Sequence, residues 1–98
     1  MNNKLNNTIE KIIEEIENFI SNSSENASSI NWANWQIGLT VYPNQEKREQ
    51  GKPKIWKSWK ANSSSDALKI QEQFLNKFPI KLNRKNGTYD YFVYVFKK

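Results

Sequence analysis

Two tryptophan pairs, Trp32/Trp35 and Trp56/Trp59, and the lysines threaded through the second pair are the residues whose types suit binding chemistry. Lys52, Lys54, Lys57 and Lys60 flank or separate Trp56 and Trp59. Aromatic faces stack on bases while ammonium groups neutralise phosphate, so the pattern fits a nucleic acid or a nucleotide-type ligand. A spacing of three along a strand sends partners to opposite faces, so each pair offers one core ring and one ring open to a ligand. Small domains also use tryptophan as bulk filler, and both readings stand at this level.

Gln71 is set apart by its position. On a helical wheel of about 100° per residue, the apolar face of Ala67, Leu68, Ile70, Phe74, Leu75 and Phe78 has Gln71 near its middle and Glu72 at its edge. An inward amide needs a hydrogen-bond partner, either a backbone group in the core or something bound in a cleft. The chain has no histidine and no cysteine. Those absences remove the commonest general base, the commonest zinc ligand, thiolate metal sites and disulfides. No metal site and no resident cofactor are expected.

The elements that must carry these residues are legible in outline. Ninety-eight residues support one domain. It divides into an amphipathic helix at about 7–21, a polar linker at 21–30 and an α+β body at 31–98. The first thirty residues hold two lysines against five glutamates, a balance of −3; the remainder holds thirteen basic residues against five acidic ones, a balance of +8. A basic body suits polyanions, and equally suits a solvated lysine-rich surface.

Ile9, Ile12, Ile13, Ile16, Phe19 and Ile20 recur at helical spacing, with Asn7 or Thr8 as cap. This stripe docks on the domain's own sheet or on a second copy of the chain. Strands are expected at Trp35–Tyr42, Lys54–Lys60 and Tyr89–Phe96, and a short polar helix at Asn44–Gln50 closed by Gly51. Ser63-x-x-Asp66 has capping-box spacing and opens a helix running to about Phe78. Asn86-Gly87 is a turn signal. In the last strand Phe92, Tyr94 and Phe96 share one face, and Tyr91, Val93 and Val95 the other, which marks a central strand covered on both sides. The expected architecture is a small, mostly antiparallel three-stranded sheet flanked by two main helices. The apolar runs are too short to span a bilayer, and the Asn-rich start lacks a basic region followed by an apolar run, so a cytoplasmic protein with no membrane partner is expected.

Trp35-Gln36-Ile37-Gly38-Leu39-Thr40, Pro43, and Ala67-x-Lys69-Ile70-Gln71-x-x-Phe74-Leu75 together resemble small GIY-YIG-type nuclease domains. They are most like a short bacterial and phage form that begins with an amphipathic helix and a "WYVGIT" strand. The resemblance runs from Ile9 to Phe96 on short motifs. It implies a site where a Tyr, an Arg, a His or Tyr and a helical Glu surround one divalent metal. At the corresponding positions this chain carries Gln36 for the Tyr, Gln45 or Glu46 for the Arg (with Arg48 nearby), Gln50 for the His and Gln71 for the metal-ligand Glu. A carboxamide neither ionises nor shuttles protons near neutral pH. The resemblance therefore implies the frame without the catalysis.

Three functions follow as expectations. The first is a non-catalytic binding protein, with Gln36, Arg48, Gln71, Trp56, Trp59, Lys57 and Lys60 contacting a nucleic acid or nucleotide. The second is a phage-type inhibitor or protein-interaction module that occupies a host defence component. The third is a divergent nuclease requiring Mg²⁺, with Tyr42, Arg48 and Glu72 in displaced catalytic roles.

Overall fold

The computed structural model describes residues 8–24, 30–83 and 90–97. The Asn7 cap, the core of the polar linker, the Asn86-Gly87 turn and Tyr89 lie outside the described residues.

Helix α1 spans Ile9–Asn22, and Thr8 caps it by accepting a hydrogen bond from the Lys11 N–H at 3.2 Å. Ile12, Ile16 and Ile20 are fully buried on its inner stripe, while Ile9, Ile13 and Phe19 pack half-buried beside them. Burying each isoleucine stabilises the fold by roughly 1.5–3 kcal/mol. The stripe thus docks within its own chain. A 3₁₀ turn at Trp32–Asn34 leads into strand β1, Trp35–Thr40. Trp32 is consequently not in a strand; it stacks on Phe78 with ring centroids 4.4 Å apart.

Thr40 turns the chain by accepting the Tyr42 N–H, and Pro43 opens helix α2, Pro43–Glu49. Proline suits the first helical position because its missing N–H has no partner there. Strand β2 is Ile55–Lys60, and helix α3 is Ser64–Lys77, capped by Ser63 through the Asp66 N–H. Lys81–Leu82 forms β3 and Phe92–Lys97 forms β4.

The sheet is mixed and four-stranded, in the order β2-β4-β1-β3, rather than three-stranded. β4 is antiparallel to both β2 and β1, and β3 adds parallel to β1 through Gln36↔Lys81 and Ile37↔Leu82. The fourth strand escapes a reading of periodicity because two residues carry no alternation.

Strand alternation divides the sheet into two unlike faces. Ile37, Leu39, Trp59, Val93 and Val95 join α1 and α3 in one apolar core. Phe19 of α1 meets Trp35 and Trp59 edge-on. Gln36, Gly38, Trp56, Ser58, Tyr94 and Phe96 lie on the other face, where α2 docks through its one buried residue, Glu46.

Candidate functional site

The face under α2 is built around Tyr94. Its ring reaches across β1 over Gly38, where an added Cβ would stand 2.5 Å from the phenolic oxygen. Ser58 lies directly opposite Tyr94 in β2, and its small side chain leaves room for Trp56 to lie flat on the tyrosine, centroids 4.6 Å apart and 16° from parallel. Trp56 also stacks over Phe96 at 5.7 Å. Tyr94 and Phe96 are fully buried and Trp56 only partly, so the indole is the outer layer of this stack.

The Tyr94 hydroxyl enters a polar network that joins four elements of the chain. It lies 3.0 Å from Glu46 Oε2 and 2.7 Å from Asn83 Oδ1, and donates its one hydrogen to one of them at a time. Gln50 Nε2 donates to Glu46 Oε2 at 2.8 Å and to Asn83 Oδ1 at 3.3 Å. Asn83 Nδ2 donates to Gln50 Oε1 at 3.2 Å and to Gln36 Oε1 at 3.0 Å. Gln50 and Asn83 thus form a reciprocal amide pair. Glu46 is only 4% exposed. Burial raises the Tyr94 phenol far above its usual range, and the neighbouring Glu46 carboxylate pushes in the same direction. A phenol held neutral in this way is a hydrogen-bond donor at neutral pH and not a base.

Beside the network lies a cleft of about 520 Å³, where β2 begins and β4 ends. Gln50, Lys52, Lys54, Ile55, Phe96 and Lys97 line it, and no acidic residue does among the described residues. Gln50 therefore belongs to the network and to the cleft wall at once. The rim is conformationally constrained: Gly51 and Lys52 both take left-handed backbone angles, φ +89° and +53°. Glycine adopts this region freely, but a lysine there costs about 1–2 kcal/mol. The turn is tied back to α2 by Gly51 N–H to Arg48 O and Lys52 N–H to Lys47 O. A larger cleft of about 620 Å³ between α1 and α3 has Glu10, Glu14 and Glu17 against Lys77 in its lining, a net negative balance that disfavours an anion.

The residues singled out from sequence separate by sheet face and exposure. Gln36 and Gln50 converge, with Glu46 rather than Gln45 beside them. Gln45 faces outward, donating to Glu49. Arg48 and Tyr42 are exposed on or next to α2, outside the network. Gln71 does not join them: it is buried on α3, across the sheet from Tyr94. Glu72 is exposed on that same helix, so the sheet stands between it and the Tyr42/Arg48 side. Trp59 is a core residue, and Lys57 sits over its ring at 5.8 Å on the helix-covered side. Trp56 and Lys60 are left on the network side, with Lys60 Nζ 5.7 Å from the Tyr91 ring. The cleft is floored by Phe96, with Trp56 stacked over it.

Asn83, Phe96 and Lys97 were not among the residues that sequence singled out for this site. Tyr94 carried a usable signal, since it alternates onto one face with Phe92 and Phe96. Asn83 carried none. Among the described residues, no group of three or more Asp/Glu is placed to hold a metal ion, and no helix is long and apolar enough to cross a membrane.

Gln71 Oε1 and Trp59 Nε1 are buried without a hydrogen-bond partner among the described residues. An orphaned core acceptor is destabilising, so Gln71→Leu should raise stability by about 1 kcal/mol in chemical denaturation. A comparable loss instead would mean that the amide anchors α3.

Compared with family models, curated proteins and solved structures, the chain matches none.

Proposed function

We propose that the chain is a non-catalytic binding module, on a GIY-YIG-like frame, that holds a nucleic acid or nucleotide-type anion in the cleft at the start of β2. The observation that carries this reading is the cleft itself. Lys52, Lys54 and Lys97 border it together with Gln50 and the edge of the buried Phe96. A volume of about 520 Å³ lies within the range of small-ligand sites, and apolar walls with a few polar groups are their usual lining. The turn after α2, closed by Lys52 N–H to Lys47 O, sets the backbone from which Lys52 projects at the cleft rim.

The make-up of the network favours binding over catalysis. Gln36 and Gln50 stand where the resembled nucleases place a tyrosine and a histidine, and both direct their amides at neighbouring side chains. Neither can take a proton from water near neutral pH. The neutral Tyr94 phenol cannot do so either. The one carboxylate of the network, Glu46, is buried and accepts from Tyr94 and Gln50, so the network reads as a polar platform that fixes Gln50 and the turn after it.

The test is a titration of the intact protein with mononucleotides and short oligonucleotides, followed by tryptophan fluorescence and thermal shift. Binding should weaken as salt rises. Lys52→Glu with Lys54→Glu should weaken it about tenfold or more at low salt, because exposed charge reversals act on the anion and leave the core intact. Affinity that is flat with salt, or unchanged in the double variant, would sink the reading. Plasmid nicking with Mg²⁺ in the same samples would overturn the non-catalytic part.

A further inference from the structure

The cleft does not end the aromatic surface on this side of the sheet. We propose that its ligand is a single-stranded nucleic acid, whose bases continue from the cleft along the β2–β4 strip toward Phe92; this rests on the binding function proposed above.

Three observations point to a strand rather than to a lone nucleotide. Trp56 is the partly buried outer ring of a stack whose inner rings, Tyr94 and Phe96, are fully buried. The indole stacks on protein and keeps part of its surface exposed, from which a base can continue the stack. Sequence-tolerant binding of this kind uses aromatic platforms because every base has a π-face.

A second aromatic site lies further along the same face. Phe92 is partly buried, and Tyr91 packs beside it with centroids 5.2 Å apart. Phe92 and Phe96 are separated by four strand residues, which is about 13 Å. That length exceeds one base and its sugar.

The charges are arranged to match. Lys52, Lys54 and Lys97 lie at the Phe96 end. Lys60 pairs with Phe92 across the β2–β4 ladder and is exposed at the other end. A backbone running along the strip therefore meets cations at both ends and rings between them. A duplex is a poor fit, because its base faces are already stacked on one another and reach such rings only after unpairing.

Fluorescence anisotropy with a labelled ten-nucleotide thymidine oligomer, its duplex with the complementary adenosine oligomer, and thymidine monophosphate in competition tests this on the full chain. The single strand should bind at least tenfold tighter than either the duplex or the mononucleotide. Phe92→Ala and, separately, the exposed substitution Lys60→Glu should each weaken the oligomer by about five- to tenfold. Competition by the mononucleotide at the cleft should persist in both variants. Equal affinity for oligomer and mononucleotide, or tighter binding of the duplex, would overturn the strip while leaving the cleft reading intact. Failure of all three probes to bind would remove both. Lys60→Glu keeps the strip falsifiable if Phe92→Ala unfolds, since Lys60 is an exposed side chain outside the core.

Discussion

Gly38→Ala is expected to lower the unfolding free energy by about 2–4 kcal/mol, an unusually large effect for one methyl group. The new Cβ would lie 2.5 Å from Tyr94 Oη, 2.6 Å from Cζ and 3.0 Å from Cε2. A flexible side chain would swing aside at little cost. The Tyr94 ring is not free to do so, because Trp56 lies flat on it and its hydroxyl is held between Glu46 and Asn83. Two responses remain, and both are unfavourable. Either the β1–β4 pairing opens at Gly38↔Tyr94, or the ring tilts out and withdraws a hydrogen-bond donor from a buried carboxylate. Urea denaturation of Gly38→Ala, Tyr94→Ala and the double variant separates the clash from any backbone effect. In the Tyr94→Ala background the added methyl should cost less than about 1 kcal/mol, because neighbouring sites that share a contact are not additive. A cost that stays the same in both backgrounds would place the strain in the strand and not in the ring.

That glycine also shows where reading the sequence stops. Periodicity exposed whatever is local. The isoleucine stripe of α1 and the Ser63 cap of α3 each follow from residues a few positions apart. So did the opposite facing of Trp56 and Trp59, and the central position of β4. The role of Gly38 depends on a ring from a strand more than fifty residues later, and nothing near position 38 announces it. β3 is similar: Lys81 and Leu82 become a strand only because β1 offers an edge, and their pairing delivers Asn83 to the network. The wheel placed Gln71 correctly inward but could not say which side of the sheet its helix would cover. A set of four glutamines therefore splits, with Gln36 and Gln50 on one face, Gln71 on the other and Gln45 in solvent. Helix phase decided the rest. With Pro43 at the first helical position, Glu46 and Gln50 fall one turn apart on the inner side of α2.

Tyr94→Phe is expected to destabilise the protein by about 2 kcal/mol at neutral pH, and this penalty should shrink as the solution becomes alkaline. The first half follows from removing one donor to a buried carboxylate, since hydrogen bonds to charged groups contribute about 1.5–3 kcal/mol. Gln50 Nε2 still serves Glu46 after the change, which keeps the loss near the middle of that range. The second half follows from linkage. Burial, reinforced by Glu46, raises the phenol in the folded protein, whereas in the unfolded chain it ionises near its usual value of about 10. Below that pH both states hold the proton and the native hydrogen bonds are fully effective. Above it the unfolded state releases the proton first, so wild-type stability falls by about 1.4 kcal/mol per pH unit from this group alone. The phenylalanine variant has no such proton to lose. Denaturation of the two proteins in parallel between pH 7 and pH 11.5 should therefore bring their stabilities together from about pH 10 upward. Curves that stay parallel across that range would mean that Tyr94 is reached by solvent in the folded state. In that case the hydroxyl would not be the buried anchor that fixes Gln50, and the rigidity attributed to the cleft wall would have to come from the Gly51–Lys52 turn alone.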